Sequence, residues 1–305
     1  MILPPTPENL RAAGEALQRG ELVGMPTETV YGLAARLWDR EALRRTFAAK
    51  ERPADNPLIV HIAHLEQLDA VVAAWPDDAR RLAERFWPGP LTMVLPKRPE
   101  VPDEATGGLD TVAVRVPAHP IALRLIDTAD SPLTAPSANP FMGLSPTRAA
   151  HVTVPGVAMV LDGGPCAVGI ESTVVDLSGE VPRLLRPGGV PRAQIEAALG
   201  RALEGKGDAR RAPGDYPRHY APRTPLRLAP RLDEGDVGLT FDPPTGDQIR
   251  LPYDPAAYGI SMYAALHRLD ALAPREIVVQ EPPRNEAWEA VWDRLDRATT
   301  ESARS

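Results

Sequence analysis

The stretch Lys50-Glu51-Arg52-Pro53-Ala54-Asp55-Asn56 sets two cations and an amide around a proline, just before an apolar run that ends in His61. Polar groups recur in similar settings. "PTETVYG" carries Thr29 past an apolar run, and "APSAN" carries Ser137 and Asn139 past another. In "TVAVRVP" a period of two puts Thr111, Ala113 and Arg115 on one face of a strand, and Val112, Val114 and Val116 on the other. Ser172 stands in the β-branched run "IESTVVDL", and Arg186 in "LLRPGG". Guanidinium, ammonium and hydroxyl groups of this kind grip anions, phosphates and carboxylates above all. The open ends of strands are where α/β sheets place such ligands. Taken singly, each feature has a plainer reading. Lys50 and Arg52 serve equally as solvated charges, His61 as a satisfied core histidine, and Glu28 as a surface or capping acid. Arg115 could be paired with a nearby carboxylate, and Ser137 and Asn139 are common turn residues. It is their co-occurrence that points to a site.

The standard phosphate motifs are missing. "GPCAVGIES" has the glycine spacing of a P-loop without the Lys-Ser/Thr that must follow it. There is no strand-linked GxGxxG, no HExxH, no GxSxG and no cysteine–histidine cluster at zinc spacing. A nucleotide site in this chain has to be built another way.

The elements that would position these groups follow from pattern. Thr6-Pro7-Glu8 starts a helix with a capping hydroxyl, a proline in the first turn and an acid near the positive end of the dipole. Leu10, Ala13 and Leu17 form its apolar face, and Gly20 ends it. "ELVGMPT" reads as a strand, "DREALRRTFAAK" as a helix capped by Asp39, and "PLIVHIA" as a strand. Helical segments follow around 64–73 and 77–86, then the strands "LTMVLPK" and "TVAVRVP" and the helix "HPIALRLIDTA". "SPLTAPSAN", "VAMVLDGGP", "IESTVVDLS" and "RLLRPG" read as strands, and "PRAQIEAALGRAL" as a helix. This order predicts an α/β domain around a twisted mixed sheet with flanking helices over 1–205. Residues 206–226, rich in Gly, Pro, Arg and Asp, read as a linker or an ordered loop. Residues 227–305 read as a small α/β unit with the strands "DVGLTF" and "EIVVQE" and two helices.

The length of 305 residues suits two domains. A lone cysteine, Cys166, makes no internal disulfide and fits a reducing compartment. No signal peptide and no apolar run of about 18 residues is visible, so a cytoplasmic protein without a membrane span is expected. The net charge of -7 argues against a nucleic-acid binder held by overall charge.

The stretches "PTETVYGLAA", "KERPADNPLIVHI", "WPGPLTMVL", "VAVRVPAHP", "TAPSANPFMGLSPT", "GIESTVVDL" and "LLRPGG", in this order, resemble the signatures of the YrdC-like family. The set Lys50, Arg52, Ser137 and Asn139 is its hallmark. "RHYAPRTPL" and the C-terminal unit resemble the two-domain, Sua-type form of threonylcarbamoyl-AMP synthases, although that unit reads as short for the family's second domain. The resemblance implies an enzyme, a nucleotidyltransferase, joining L-threonine, bicarbonate or CO2 and ATP into threonylcarbamoyl-AMP and pyrophosphate. Its product would pass to downstream proteins that modify tRNA, and a weak direct contact with tRNA is part of the same expectation. Mg²⁺ would come with ATP, held mainly by the nucleotide rather than by protein ligands. By resemblance, Thr29, His61, Arg115 and Ser172 would hold threonine. Arg52, Asn56, Thr111, Ala135, Ser137, Asn139, Ser145 and Arg186 would hold ATP. Lys50 and Arg52 would act on the phosphates, Tyr31 would be a neighbour, and the linker would fold over the mouth with His219 or Tyr220 touching the nucleotide. A hydrogenase-maturation type of carbamoyl transfer would use the same site, but its zinc-finger and acylphosphatase modules are not visible.

Overall fold

Ten short strands build the first sheet: β1 (Ile2–Leu3), β2 (Leu22–Met25), β3 (Gly32–Arg36), β4 (Ile59–His61), β5 (Leu91–Pro96), β6 (Thr111–Arg115), β7 (Leu133–Thr134), β8 (Val157–Leu161), β9 (Thr173–Asp176) and β10 (Arg183–Arg186). The structure is a computed structural model and describes residues 1–205 and 218–299. The strand order is β1-β8-β2-β3-β7-β4-β6-β5-β9-β10, with parallel and antiparallel pairs mixed. The expected twisted mixed α/β sheet is thus present. β3, within "YGLAAR", went unread in the sequence because its small residues resemble a loop.

Helices α1 (Pro7–Gln18), α2 (Arg40–Lys50), α3 (Asp77–Phe86), α4 (Asp103–Thr106), α5 (Pro120–Thr128) and α6 (Arg192–Leu199) flank this sheet. Their starts obey local chemistry. The Thr6 hydroxyl accepts from Asn9 N at 3.2 Å and the Asp39 carboxylate from Ala42 N at 3.0 Å, each satisfying an orphan N–H of a first turn. α6 stops before the expected "GRAL" because Gly200 takes a left-handed conformation (φ 70°). The segment around 64–73 is a 3₁₀ turn, Leu65–Ala70, rather than an α-helix. Val112, Val114 and Val116 face the helices in one apolar cluster with Phe47, Leu82 and Ile195, as the period of two requires. Ala113 belongs to a different cluster with Ile59. Fully burying one such valine or leucine is worth about 1.5–3 kcal/mol.

The second sheet is parallel, ordered β11-β14-β12-β13, from β11 (Leu226–Ala229), β12 (Gly238–Thr240), β13 (Gln248–Arg250) and β14 (Ile277–Gln280). α7 (Pro255–Ala271) and α8 (Glu289–Ala298) pack with it. β11 and β13 escaped the sequence reading because each is short and polar-interrupted. They make the C-terminal unit a fuller domain than expected.

The two units share a core. Val30, Leu144 and Ile170 from the first pack with Tyr258, Met262 and Tyr263 of α7. Gly169 (φ 76°) is required at this contact, because a Cβ there would lie 2.4 Å from the Ile260 Cα. No helix among the described residues is long and apolar enough to cross a membrane.

Candidate functional site

A cavity of about 560 Å³, open mouth included, lies where β4, β6, the segments after β2 and β7, the segment before β9 and the end of β10 converge. The register brings its two most informative residues together. β4 and β6 are parallel with His61 opposite Arg115, so both side chains leave neighbouring strands on one face. Ser137 arrives by a different route. Past β7 the chain bridges back to β3 through Gly32, where a Cβ would meet that of Ala135 at 2.8 Å. Glycine is needed there for close approach.

Of the residues singled out in the sequence, Thr29, Arg52, His61 and Arg115 line the cavity. So do Ala135, Ser137, Ser172, Arg186 and the linker's His219 and Tyr220. Six others do not line it. Asn56 lies behind Arg52 and accepts from its guanidinium through Oδ1 at 2.5 Å. Ser145 is fully buried and donates to Glu171 at 2.5 Å. Asn139 donates to the Pro140 and Gly143 carbonyls and lines a groove outside. Thr111 sits at the far end of β6 from Arg115 and lines a depression with Asp110, Asp176 and Arg183. The Tyr31 hydroxyl donates to Gly164 O at 2.8 Å and accepts from Gly163 N at 3.0 Å. Lys50, expected at the phosphates, is 2% exposed and its ammonium donates to the Ser137 and Asn139 carbonyls. It ends α2 one layer behind the wall and anchors the loop that carries Ser137. Burial, then Arg52, pushes its pKa well below the usual lysine value.

The Lys50 contacts predict a specific outcome. Lys50→Met keeps the stem but strips two buried carbonyls of their donor, and should cost about 2 kcal/mol in urea unfolding. An unchanged midpoint would show that those carbonyls find other partners.

Arg115 is 3% exposed and well held. Its Nε donates to Gly89 O at 3.0 Å and its Nη1 to Thr29 Oγ1 at 2.9 Å. Its Nη2 lies 2.5 Å from Glu28 Oε1. Glu28 is therefore a buried counter-ion, neither a surface acid nor a cap. A guanidinium has five N–H groups, so such a fork retains capacity for a further carboxylate. Thr29 is set in turn by Thr27, whose hydroxyl lies 2.9 Å away and also donates to Val30 O at 2.6 Å. Arg186 donates from Nε to Ser172 O at 3.1 Å and from Nη2 to Ser172 Oγ at 3.2 Å.

The sequence reading passed over Glu171. It lines the cavity and is 5% exposed. The one signal in the sequence was a carboxylate wedged into the apolar run "GIESTVV".

The site's field is positive. His219 has its pKa lowered well below the usual value by burial first, then by Arg52, Lys50, Arg186 and Arg297. His61 is lowered to about 3 by burial, then by Arg115, and its Nδ1 is 3.2 Å from Ile59 O. Both rings are neutral at pH 7. Each unfolded histidine binds a proton near pH 6.5 that the folded one refuses, so stability is lost as pH falls below 6.5. His61 alone should cost about 2 kcal/mol by pH 5, and His219 adds to the loss in the same direction. Thermal melts across pH 5–7 read this, and His61→Gln and His219→Gln should flatten the slope. A flat wild-type profile would show that the folded rings do take up protons.

Two further observations mark a place for a ligand. Among the described residues, Tyr220 Oη and His219 Nδ1 are buried without a hydrogen-bond partner, an arrangement that native proteins seldom tolerate without function. No cluster of three His, Cys, Asp or Glu that could hold a metal exists among the described residues. The two carboxylates nearest the cavity, Glu28 and Glu171, are each committed to an arginine. Burial pushes the Cys166 thiol up to about 12, so it is no ready nucleophile.

Residues 15–188 match the Sua5–YciO–YrdC family model, described as telomere recombination. Residues 190–300 match the model of the threonylcarbamoyl-AMP synthase C-terminal domain. The chain is 52% identical over 222 residues to the threonylcarbamoyl-AMP synthase of Pyrococcus abyssi, and 44% identical over 225 residues to that of Bacillus subtilis. These alignments take in 70% and 71% of this chain, and the chain spans 65% of the length of each relative. The fold superposes with a TM-score of 0.91 at 37% identity on the crystal structure of P. abyssi Sua5 complexed with L-threonine, covering 98% of this chain and 97% of that one.

Proposed function

This chain belongs to the Sua5–YciO–YrdC family in its two-domain form, and from that premise we propose that it joins L-threonine, bicarbonate or CO2 and ATP into threonylcarbamoyl-AMP and pyrophosphate. The observation that carries the reading is the convergence of Thr29, Arg52, His61, Arg115, Ser137, Ser172 and Arg186 on one cavity under the linker.

Arg115 and Thr29 take the threonine carboxylate and its surroundings, with neutral His61 beside them. The amine, once deprotonated, adds to CO2 and becomes a carbamate. A carbamate oxygen then attacks the α-phosphorus of ATP, and pyrophosphate leaves. Carbamates revert quickly, so the reactants must already be aligned. Holding them in place is worth up to roughly 7–11 kcal/mol. Arg52 and Arg186 face the phosphates and offset the charge that builds there. Lys50 acts one step removed, by fixing the Ser137 loop. His219 and Tyr220 close the mouth and keep water from the carbamate and the mixed anhydride. Glu28 and Glu171 are each paired with an arginine, and Mg²⁺ would arrive on the phosphate oxygens with its waters. The product would go to cytoplasmic proteins that transfer the threonylcarbamoyl group to tRNA.

The test is direct. Purified protein is given ATP, bicarbonate and each of several amino acids, and pyrophosphate is measured. Release that requires threonine and bicarbonate supports the reading. No release, with tRNA binding that weakens steeply in salt, would replace it with an RNA-binding module.

A further inference from the structure

We propose that Arg294, on the last helix of the C-terminal domain, is a positioning residue for the cavity in the first domain, acting through Glu171 and Tyr220. Its Nε donates to Glu171 Oε2 at 2.8 Å, and its guanidinium lies 5.1 Å from the centre of the Tyr220 ring. Both partners line the cavity. Arg294 itself is 1% exposed and does not line it. Its Nη1 donates to Pro187 O at 2.6 Å, in the segment that follows Arg186.

Glu171 is a hub. It accepts from Ser145 Oγ at 2.5 Å and from the Tyr263 hydroxyl at 3.3 Å, in addition to Arg294. Only an ionised carboxylate accepts at all these points. The charged and titratable groups around it come from four directions: Arg294 and Asp293 on α8, Tyr263 on α7, Arg186 on β10, and Tyr220 in the linker. Burial alone would raise the Glu171 pKa, but Arg294, Arg186 and the Ser145 hydrogen bond outweigh it and hold the carboxyl below its usual value. Removing one member of a buried pair strands the other, which then neutralises. A protonated Glu171 would lose an acceptor site next to Ser172, whose Oγ and carbonyl hold Arg186. The C-terminal domain thereby sets the geometry of the Arg186 end of the cavity, and by linkage an occupant of the cavity favours the docked domain.

The inference rests on the proposed synthase activity for one readout and stands apart from it for another. In Arg294→Met, kcat/KM for ATP should fall about tenfold at pH 7, and its acidic limb should move to higher pH. KM for threonine should change little, and Arg294→Lys should restore part of the loss. Adding Glu171→Gln to Arg294→Met removes the titrating group, so the displaced limb should vanish. A limb that stays at the wild-type position in Arg294→Met, or stays displaced in the double variant, overturns the proposal. The second readout needs no turnover. Wild-type Glu171 contributes stability above its unfolded pKa, and the stranded carboxyl of Arg294→Met opposes folding over the same range. The gap in melting temperature between the two proteins should therefore widen from pH 5 to pH 8. A constant gap overturns the coupling, whereas absent pyrophosphate release from the wild type with a widening gap would overturn only the assigned reaction.

Discussion

Arg115→Ala should raise the KM for threonine by at least about 30-fold, the low end of what truncating one partner of a buried, hydrogen-bonded charge pair costs, while the KM for ATP moves by less than about threefold. Nε and Nη1 are fixed by Gly89 O and Thr29 Oγ1, and Nη2 lies against Glu28. The guanidinium is thus held in place before threonine arrives, and a carboxylate meets donors that need no reorganisation. Alanine also strands Glu28 in the interior, a loss on the order of 3–5 kcal/mol of stability. The paired variant Arg115→Met with Glu28→Gln removes that penalty. It should regain much of the stability and none of the threonine affinity. If ATP affinity falls instead, Arg115 belongs to the nucleotide and the assignment is wrong.

His219→Ala combined with Tyr220→Ala should lower turnover by about 100-fold, the scale expected when reactants are misaligned by about an ångström, with most of the fold retained. Tyr220 holds a left-handed backbone (φ 60°), uncommon for a non-glycine residue, and packs edge-on to His219 at 4.0 Å. The strap is tied down locally, by Ala221 N donating to Met142 O at 2.9 Å and by a bridge between Gly143 and Ala221. Small side chains there leave the strap in place but open the mouth. Removing 213–305 outright is a poorer experiment, because it also exposes Val30, Leu144 and Ile170. The measurement is the ratio of ATP consumed to adenylate formed. Loss of closure should raise this ratio as intermediates meet water, and an unchanged ratio with full turnover would reduce the linker to a tether. Residues 206–217 of that linker lie outside the described residues.

Much of the first domain could be read along the chain, because its cues are local. A hydroxyl three residues before a helical N–H makes a cap, and alternation along "TVAVRVP" separates valines from Arg115 without reference to any other strand. The candidate site was legible to the same degree. Strand-end cations and hydroxyls announced themselves by type, and most of them do converge. What failed were the elements with weak local signals. The small residues of β3 become a strand because β2 and β7 pair on either side. β13 takes its place beside β12 through parallel pairing and the packing of Ile249 on the second domain's core.

Roles depended on more distant partners. Lys50 looked like a phosphate ligand and Glu28 like a surface acid, until packing gave one to two carbonyls and the other to Arg115. Nothing near Arg294 in sequence hints that its partner is Glu171, 123 residues away. Residue type and spacing decide which chemistry a chain is equipped for, since propensity and periodicity act over a few residues. Which side chain meets the ligand, which stands behind it and which domain braces it are settled by burial and pairing across the sheet, where the energy of a charge depends on neighbours that sequence distance does not encode.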